Sequence, residues 1–282
     1  MRKNSLNADN ATIKGFGDEW QRFDQSDLDQ EEAHELFQRY FAIFPWWSLP
    51  ENAIGFDMGC GSGRWALLVA PKVFRLHCID PSLALHVAKK NLVHERNCTF
   101  HSASVGDLVF EENSMDFGYS LGVLHHVPDT QAGINACVRL LKPGAPFLLY
   151  LYYAFDGKPF WFRILWKISN FFRLVISRLP YGVRYFSTQL FAFLLYFPLA
   201  RLSLFLEKLG VNEDFIDCLP LSSYRKSSFY TMRTDALDRF GTKLEKRFSK
   251  QQIEQMMTNG GLINISFSEK VPYWCAVGYK GG

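Results

Sequence analysis

A doubly wound α/β fold carrying a long helical insertion is predicted for this 282-residue chain by three observations. Short apolar runs alternate with helical stretches from residue 51 to residue 153, as in a parallel sheet covered by helices on both faces. The glycines of Gly59-Cys60-Gly61-Ser62-Gly63 fall between the first such run and the first helix, where the backbone must turn sharply. The alternation stops at Phe155 and returns near Ser249, so the intervening segment reads as an insertion into the sheet domain.

Residues 1–15 read as a frayed tail. Residues 16–47 are helical in pattern, with Trp20 and Phe23, then Leu36, Phe37, Tyr40, Phe41 and Phe44, recurring at helix-face spacing until Pro45 and Pro50 close the section. Strands are expected at residues 53–58, 76–79, 99–103, 115–120 and 147–152, the last entered through the Lys142-Pro143-Gly144 turn. Helices follow the first two strands, at 64–70 and up to Leu92. At the far end Ser249 and Gln252 form a capping box, and Gly260-Gly261 stops the helix after Asn259. Residues 262–268 and 273–279 then make an antiparallel hairpin, for seven strands in all. The resulting organisation is a tail and helical lid (1–50), an α/β core (51–154), an aromatic-rich helical insertion (155–248), and a helix and hairpin completing the core (249–282).

A composition of 48% hydrophobic and 21% charged residues supports a substantial core and excludes general disorder. A net charge of +3 is too mild to point to nucleic acid. The six cysteines show neither a C-x-x-C nor zinc spacing, so a metal site and a disulfide framework are not indicated and a reducing, cytoplasmic setting is expected. The polar N-terminus lacks the apolar run of a secretory signal. The longest uncharged stretch, 185–200, contains Ser187, Thr188, Gln189 and Pro198 and falls short of the roughly 18–20 apolar residues a spanning helix needs, so no transmembrane helix is expected.

Asp57 precedes the first glycine of the cluster by two residues, and Asp80 ends the second strand, where a carboxylate can accept both ribose hydroxyl protons. Gly61 to Ala66 also satisfies the dinucleotide pattern G-x-G-x-x-G/A, which keeps an NAD(P)-dependent oxidoreductase as the alternative. With Gly122-Val123-Leu124-His125-His126-Val127, Leu140-Leu141-Lys142-Pro143-Gly144 and the terminal hairpin, the chain resembles the class I S-adenosylmethionine-dependent methyltransferases, in their small-molecule branch. The resemblance covers residues 50–153 and 249–280. It implies a Rossmann-like sheet with S-adenosylmethionine as cofactor, held by Asp57, Gly59, Cys60, Gly61, Gly63, Asp80, Pro81, Ser104, Val105, Leu121 and Gly122. Ser104 stands where that family usually carries an acid for the adenine amine. Trp20 is the lid residue the resemblance suggests.

Acceptor-side candidates are fewer. His125 and His126 have the residue type of a general base, with hydrogen bonding inside their own turn as the competing role. Tyr150, Tyr152 and Tyr153 leave the fifth strand at its ligand-binding end, with Tyr150 and Tyr152 on one face and Tyr153 opposed. Of these, Tyr152 joins the histidines as a catalytic candidate, while Tyr150, Tyr153, Tyr230 and Arg233 are candidates for binding the acceptor. The insertion has three readings, left open: a cap over an apolar acceptor, an element lying on a membrane surface, or a homodimer interface. The expected reaction is O- or C-methylation of a small apolar or amphipathic acceptor, possible lipids included, with no nucleic-acid partner. A membrane-associated protein that binds the donor without turnover is the non-enzymatic alternative.

Overall fold

Residues 7–108, 110–155 and 159–282 are described by the computed structural model. Seven strands join in one sheet: β1 (Ile54–Met58), β2 (Arg75–Ile79), β3 (Cys98–His101), β4 (Phe117–Leu121), β5 (Pro146–Tyr150), β6 (Leu262–Phe267) and β7 (Cys275–Lys280). Their order is β3-β2-β1-β4-β5-β7-β6. β1 to β5 run parallel, and β7 alone is reversed, pairing antiparallel with both β5 and β6. The chain leaves β1 toward β2 and β3, then returns to place β4 on the other side of β1. That reversal opens a crevice at the C-terminal ends of β1 and β4, the place where open α/β sheets bind ligands.

Central strands buried on both faces read as apolar runs, which is why β1, β4 and β5 stood out in the sequence. Rings interlock across β1 and β4: Gly55 pairs with Phe117 and Phe56 with Gly118. A Cβ at Gly118 would stand 2.2 Å from the Phe56 ring, so each glycine makes room for its neighbour's ring. One face of the sheet packs Phe56, Met58, Phe147, Leu149 and Ile253; the other packs Trp65, Leu76, Phe117, Tyr119 and Leu148.

Helices α1 (Asn10–Arg22), α2 (Gln30–Tyr40), α3 (Arg64–Val69), α4 (Ala84–Asn91), α5 (Thr130–Leu140) and α11 (Lys250–Asn259) accompany these strands, and α6 (Phe160–Ile176), α7 (Tyr181–Phe191), α8 (Phe197–Lys208), α9 (Glu213–Cys218) and α10 (Phe229–Gly241) form the insertion. The capping box at Ser249 and Gln252 is present as read from the sequence. The expected tail at 1–15 is shorter: α1 begins at Asn10 because the Asp9 carboxylate accepts the Thr12 amide at 2.7 Å. Residues 1–6 lie outside the described residues.

The chain divides into two compact units, one of Met1–Gln25, Ala33–Ala154 and Leu244–Gly282, the other of Ser26–Glu32 and Phe155–Lys243. The helical unit has a thin core of Ile176, Ala192, Tyr196, Ala200, Met232, Ala236 and Phe240. Its helices are tied by polar groups. Arg173 donates to the Thr242 and Lys243 carbonyls at 2.9 and 3.0 Å, where α10 ends, and Glu32 accepts the Ser228 amide at 3.0 Å, where α10 begins.

One helix is longer than the uncharged stretch 185–200 suggested. α7 and α8 run on through a π-helical turn at Ala192–Tyr196, giving a continuous helix Tyr181–Lys208 of 28 residues that is long and apolar enough to cross a membrane by length and composition. Pro198 had argued against such a helix. Lacking an N–H and crowding the carbonyl four residues back, it is absorbed by the widened turn that precedes it instead of breaking the helix.

Candidate active site

β1 and β2 end side by side, and each delivers a buried carboxyl to the crevice. Asp57 in β1 is opposite Tyr119 of β4. Neither Asp57 Oδ2 nor the Tyr119 hydroxyl completes a hydrogen bond of normal geometry, and both are sealed from solvent. Burial pushes the Asp57 carboxyl up to about 8; the neighbouring Tyr119 hydroxyl draws it down, Asp80 pushes it further up, and Arg64 draws it down. A cation arriving beside such a carboxyl would favour its ionised form.

Asp80 is placed differently. Its Oδ2 accepts the Gly61 amide at 2.9 Å, and Oδ1 accepts the Ser82 amide at 2.8 Å and the Ser82 hydroxyl at 2.6 Å. Burial raises this carboxyl, while the Ser82 and Gly61 hydrogen bonds lower it. The carboxylate is locked in orientation, with lone pairs left for further donors such as vicinal hydroxyls.

The glycine turn between them leaves little freedom. Gly59 has φ +80°, and a Cβ there would meet Val123 at 2.4 Å. The Gly59 and Cys60 amides donate to the Ile79 carbonyl, Gly61 to Asp80 and Gly63 to the Cys60 carbonyl. These four amides therefore shape the turn through protein partners. Ser62, not singled out from sequence, is buried with its hydroxyl unsatisfied.

Trp20 of α1 lies over this turn: a Cβ on Gly61 would be 3.1 Å from its indole nitrogen, and the Arg64 guanidinium is 5.5 Å from its ring. Ser104 donates to Asp107 at 2.8 Å, so a carboxylate does stand beside the residue where the sequence lacked one; Ser104 and Val105 are buried, and Pro81 is exposed. Leu121 is buried, and Gly122, at φ +78°, faces open space where a side chain would be.

The histidine pair is buried in the turn after β4. His125 is fully buried with both ring nitrogens unpartnered, and burial holds it well below the usual histidine range, with the neighbouring His126 and Arg247 acting in the same direction. Its ring stacks 3.8 Å from that of Tyr152. His126 commits Nδ1 to the Leu244 carbonyl at 2.6 Å and packs against Phe16. His125 thus packs on Tyr152 and His126 on Phe16. Tyr152 is half-buried, with the Arg247 guanidinium 5.1 Å from its ring; Arg247 in turn pairs with Glu245 at 2.9 Å.

Tyr150 lies between Tyr40, at 5.1 Å, and Tyr152, at 6.0 Å, and Tyr40 continues to Trp65 at 4.8 Å. Tyr40 was visible in the sequence only as a helix-face residue. Tyr153 points the other way, as strand alternation required, and packs on Tyr273 and Trp274. Tyr230 and Arg233 belong to α10 of the helical unit, where Arg233 donates to Gln189 at 2.6 Å and to the Tyr185 hydroxyl at 2.8 Å.

Residues 56–149 match the family model described as a methyltransferase domain. Among curated proteins, a ubiquinone biosynthesis O-methyltransferase of Xanthomonas oryzae is 35% identical over 96 residues, which are 33% of this chain and 40% of that protein. Phosphoethanolamine N-methyltransferase 2 of Caenorhabditis elegans is 31% identical over 100 residues, 34% of this chain and 23% of that protein. The chain thus spans well under half the length of these relatives. An O-methyltransferase family protein of Burkholderia thailandensis superposes with a TM-score of 0.54 at 12% identity, over 89% of this chain and 56% of that one, and shows the same fold.

Proposed function

We propose that this chain, whose residues 56–149 match a methyltransferase-domain model, is a class I S-adenosylmethionine-dependent methyltransferase that transfers a methyl group to a small apolar or amphipathic acceptor, on oxygen in the first instance. The observation that carries the reading is the pair of carboxyls at the ends of β1 and β2, one unsatisfied and buried, the other locked by three hydrogen bonds. The donor supplies an electrophilic methyl on a sulfonium, already activated. Asp57 would hold its ammonium group and Asp80 its ribose hydroxyls, while Trp20 shields the turn from water. The open space at Gly122 leaves room beside Leu121 for the acceptor to approach in line, and alignment of that kind supplies much of the rate in such displacements.

Oxygen is favoured by the O-methyltransferase relatives. Neither histidine is set to remove a proton, so the fitting acceptor is one whose hydroxyl is acidic already, such as a phenol or an enol. Tyr40, Tyr150 and Tyr152 offer rings for such a group to pack against.

Calorimetric titration with S-adenosylmethionine, with NADH in parallel and Asp80→Ala as control, tests the reading. Donor binding that collapses in the variant supports it. NADH binding without a response to the donor would replace it with the oxidoreductase, and donor binding without turnover on any phenolic acceptor would favour the non-catalytic protein.

A further inference from the structure

We infer that the helical unit carries a docking surface for an anionic lipid bilayer, lying in the plane of the headgroups along α6 and the long helix Tyr181–Lys208. Twenty of the 27 large hydrophobic side chains that stand exposed among the described residues fall between Phe160 and Phe215. On α6, Trp161, Ile164, Leu165, Ile168, Phe172 and Val175 recur at steps of three and four and are all exposed, while Arg173 and Ile176 face inward. One side of the helix is therefore spent on the unit's own core, and the opposite side is apolar and open. The long helix repeats the plan: Val183, Phe186, Leu190, Phe193 and Phe197 are exposed, and Ala192, Tyr196 and Ala200 lie in the core. Soluble monomers rarely present a contiguous apolar surface of this extent unless something covers it.

Charge identifies the occupant. No acidic residue occurs from Pro159 to Leu206, against six basic ones. Arg173 and Arg184 are buried and Arg201 donates to the Arg225 and Ser227 carbonyls, which leaves Arg163, Lys167 and Arg178 exposed along the flank of the α6 face. The acids of the unit lie elsewhere; Glu207, for example, is held by Arg225 and Lys226. Aromatic rings beside Lys and Arg, with no acid among them, match an anionic headgroup layer above acyl chains. A second copy of this face would bring like charges together, which disfavours a homodimer. A crossing helix is disfavoured because the side of Tyr181–Lys208 that carries Arg184, Thr188, Ala192, Tyr196 and Ala200 is buried in the unit and unavailable to lipid. The inference is independent of the methyl-transfer reading; if both hold, the acceptor is drawn from the membrane.

The test is flotation of the full chain with phosphatidylcholine vesicles, with and without phosphatidylglycerol. Binding is expected to the anionic vesicles, to weaken at high salt, and to fall by at least about thirtyfold in Arg163→Glu/Lys167→Glu. A drop of tenfold or more is expected in Trp161→Ser/Phe171→Ser, from lost apolar burial. Both pairs are exposed, so unchanged thermal unfolding confirms that the variants fold. Equal binding to neutral vesicles that ignores the charge variant would overturn the inference. So would failure to float combined with a dimer in sedimentation that Trp161→Ser/Phe171→Ser dissociates, or retention in bilayers after alkaline extraction, which would mean a spanning helix.

Discussion

The sheet unit and the helical unit use the same large apolar residues in opposite ways. In the sheet unit Phe56, Phe117, Tyr119 and Phe147 are completely buried. In the helical unit the buried positions include alanines, while Phe160, Phe171, Phe186 and Phe193 are all more than 60% exposed. A sheet with helices on both faces has a partner for every side chain, so apolar content becomes core. A few helices in a single layer bury one side each and leave the other open. Apolar composition therefore says how much surface must be covered and leaves open by what.

The sharpest break in that contrast is a ring deletion in each unit. Phe56→Ala should cost about 3–5 kcal/mol in chemical denaturation, and Phe186→Ser under about 0.5 kcal/mol. Comparable losses at both positions would mean that the helical face is covered in solution. Next in size, Asp80→Ala should weaken donor binding about a hundredfold in calorimetry, since a buried acceptor of hydroxyl protons is lost, while Arg233→Ala in the helical unit leaves donor affinity unchanged. Arg173→Ala removes donors from two carbonyls at the end of α10 and should destabilise the helical unit by about 2 kcal/mol, against nearly nothing for the exposed Arg163→Ala.

A smaller effect belongs to Asp57, whose carboxyl is raised from 3.8 to about 8 in the fold. The folded chain keeps this proton where the unfolded chain loses it, so the penalty on stability is absent below pH 3.8 and grows as pH rises toward 8. Asp57→Asn should flatten that decline in melting temperature while losing donor affinity. In the wild type, donor binding at neutral pH should release about one proton, seen as buffer-dependent heat, and affinity should rise by up to about tenfold per pH unit below 8 before levelling. Absence of proton release would place the donor's ammonium away from Asp57.

Much of the sheet unit was legible because its signals are local. The Asp57-to-Gly63 turn, the Asp80 strand end, the capping box at Ser249 and the lone reversed strand each follow from neighbours within a few residues. What escaped depended on distant parts of the chain. Tyr40 reaches Tyr150 only when α2 packs on the sheet, and Asp57 meets Tyr119 only through the register of β1 and β4. His125 looked like a base because residue type is visible in sequence and desolvation is not.

The sequence by itself determined the alternation of strands and helices, the position of the turn and its two carboxyls, and the presence of an aromatic insertion with no acid from Pro159 to Leu206. Tertiary structure alone decided which of those residues are buried. It left Asp57 Oδ2 without a hydrogen bond, sealed His125, packed Tyr153 on Tyr273 and Trp274, and kept many of the insertion's rings outside while Tyr196 and Phe240 entered its core. The division has one cause: hydrogen-bonding geometry of turns and caps is set by residues adjacent in the chain, whereas burial, and with it charge state and exposed surface, is a property of everything packed around a side chain.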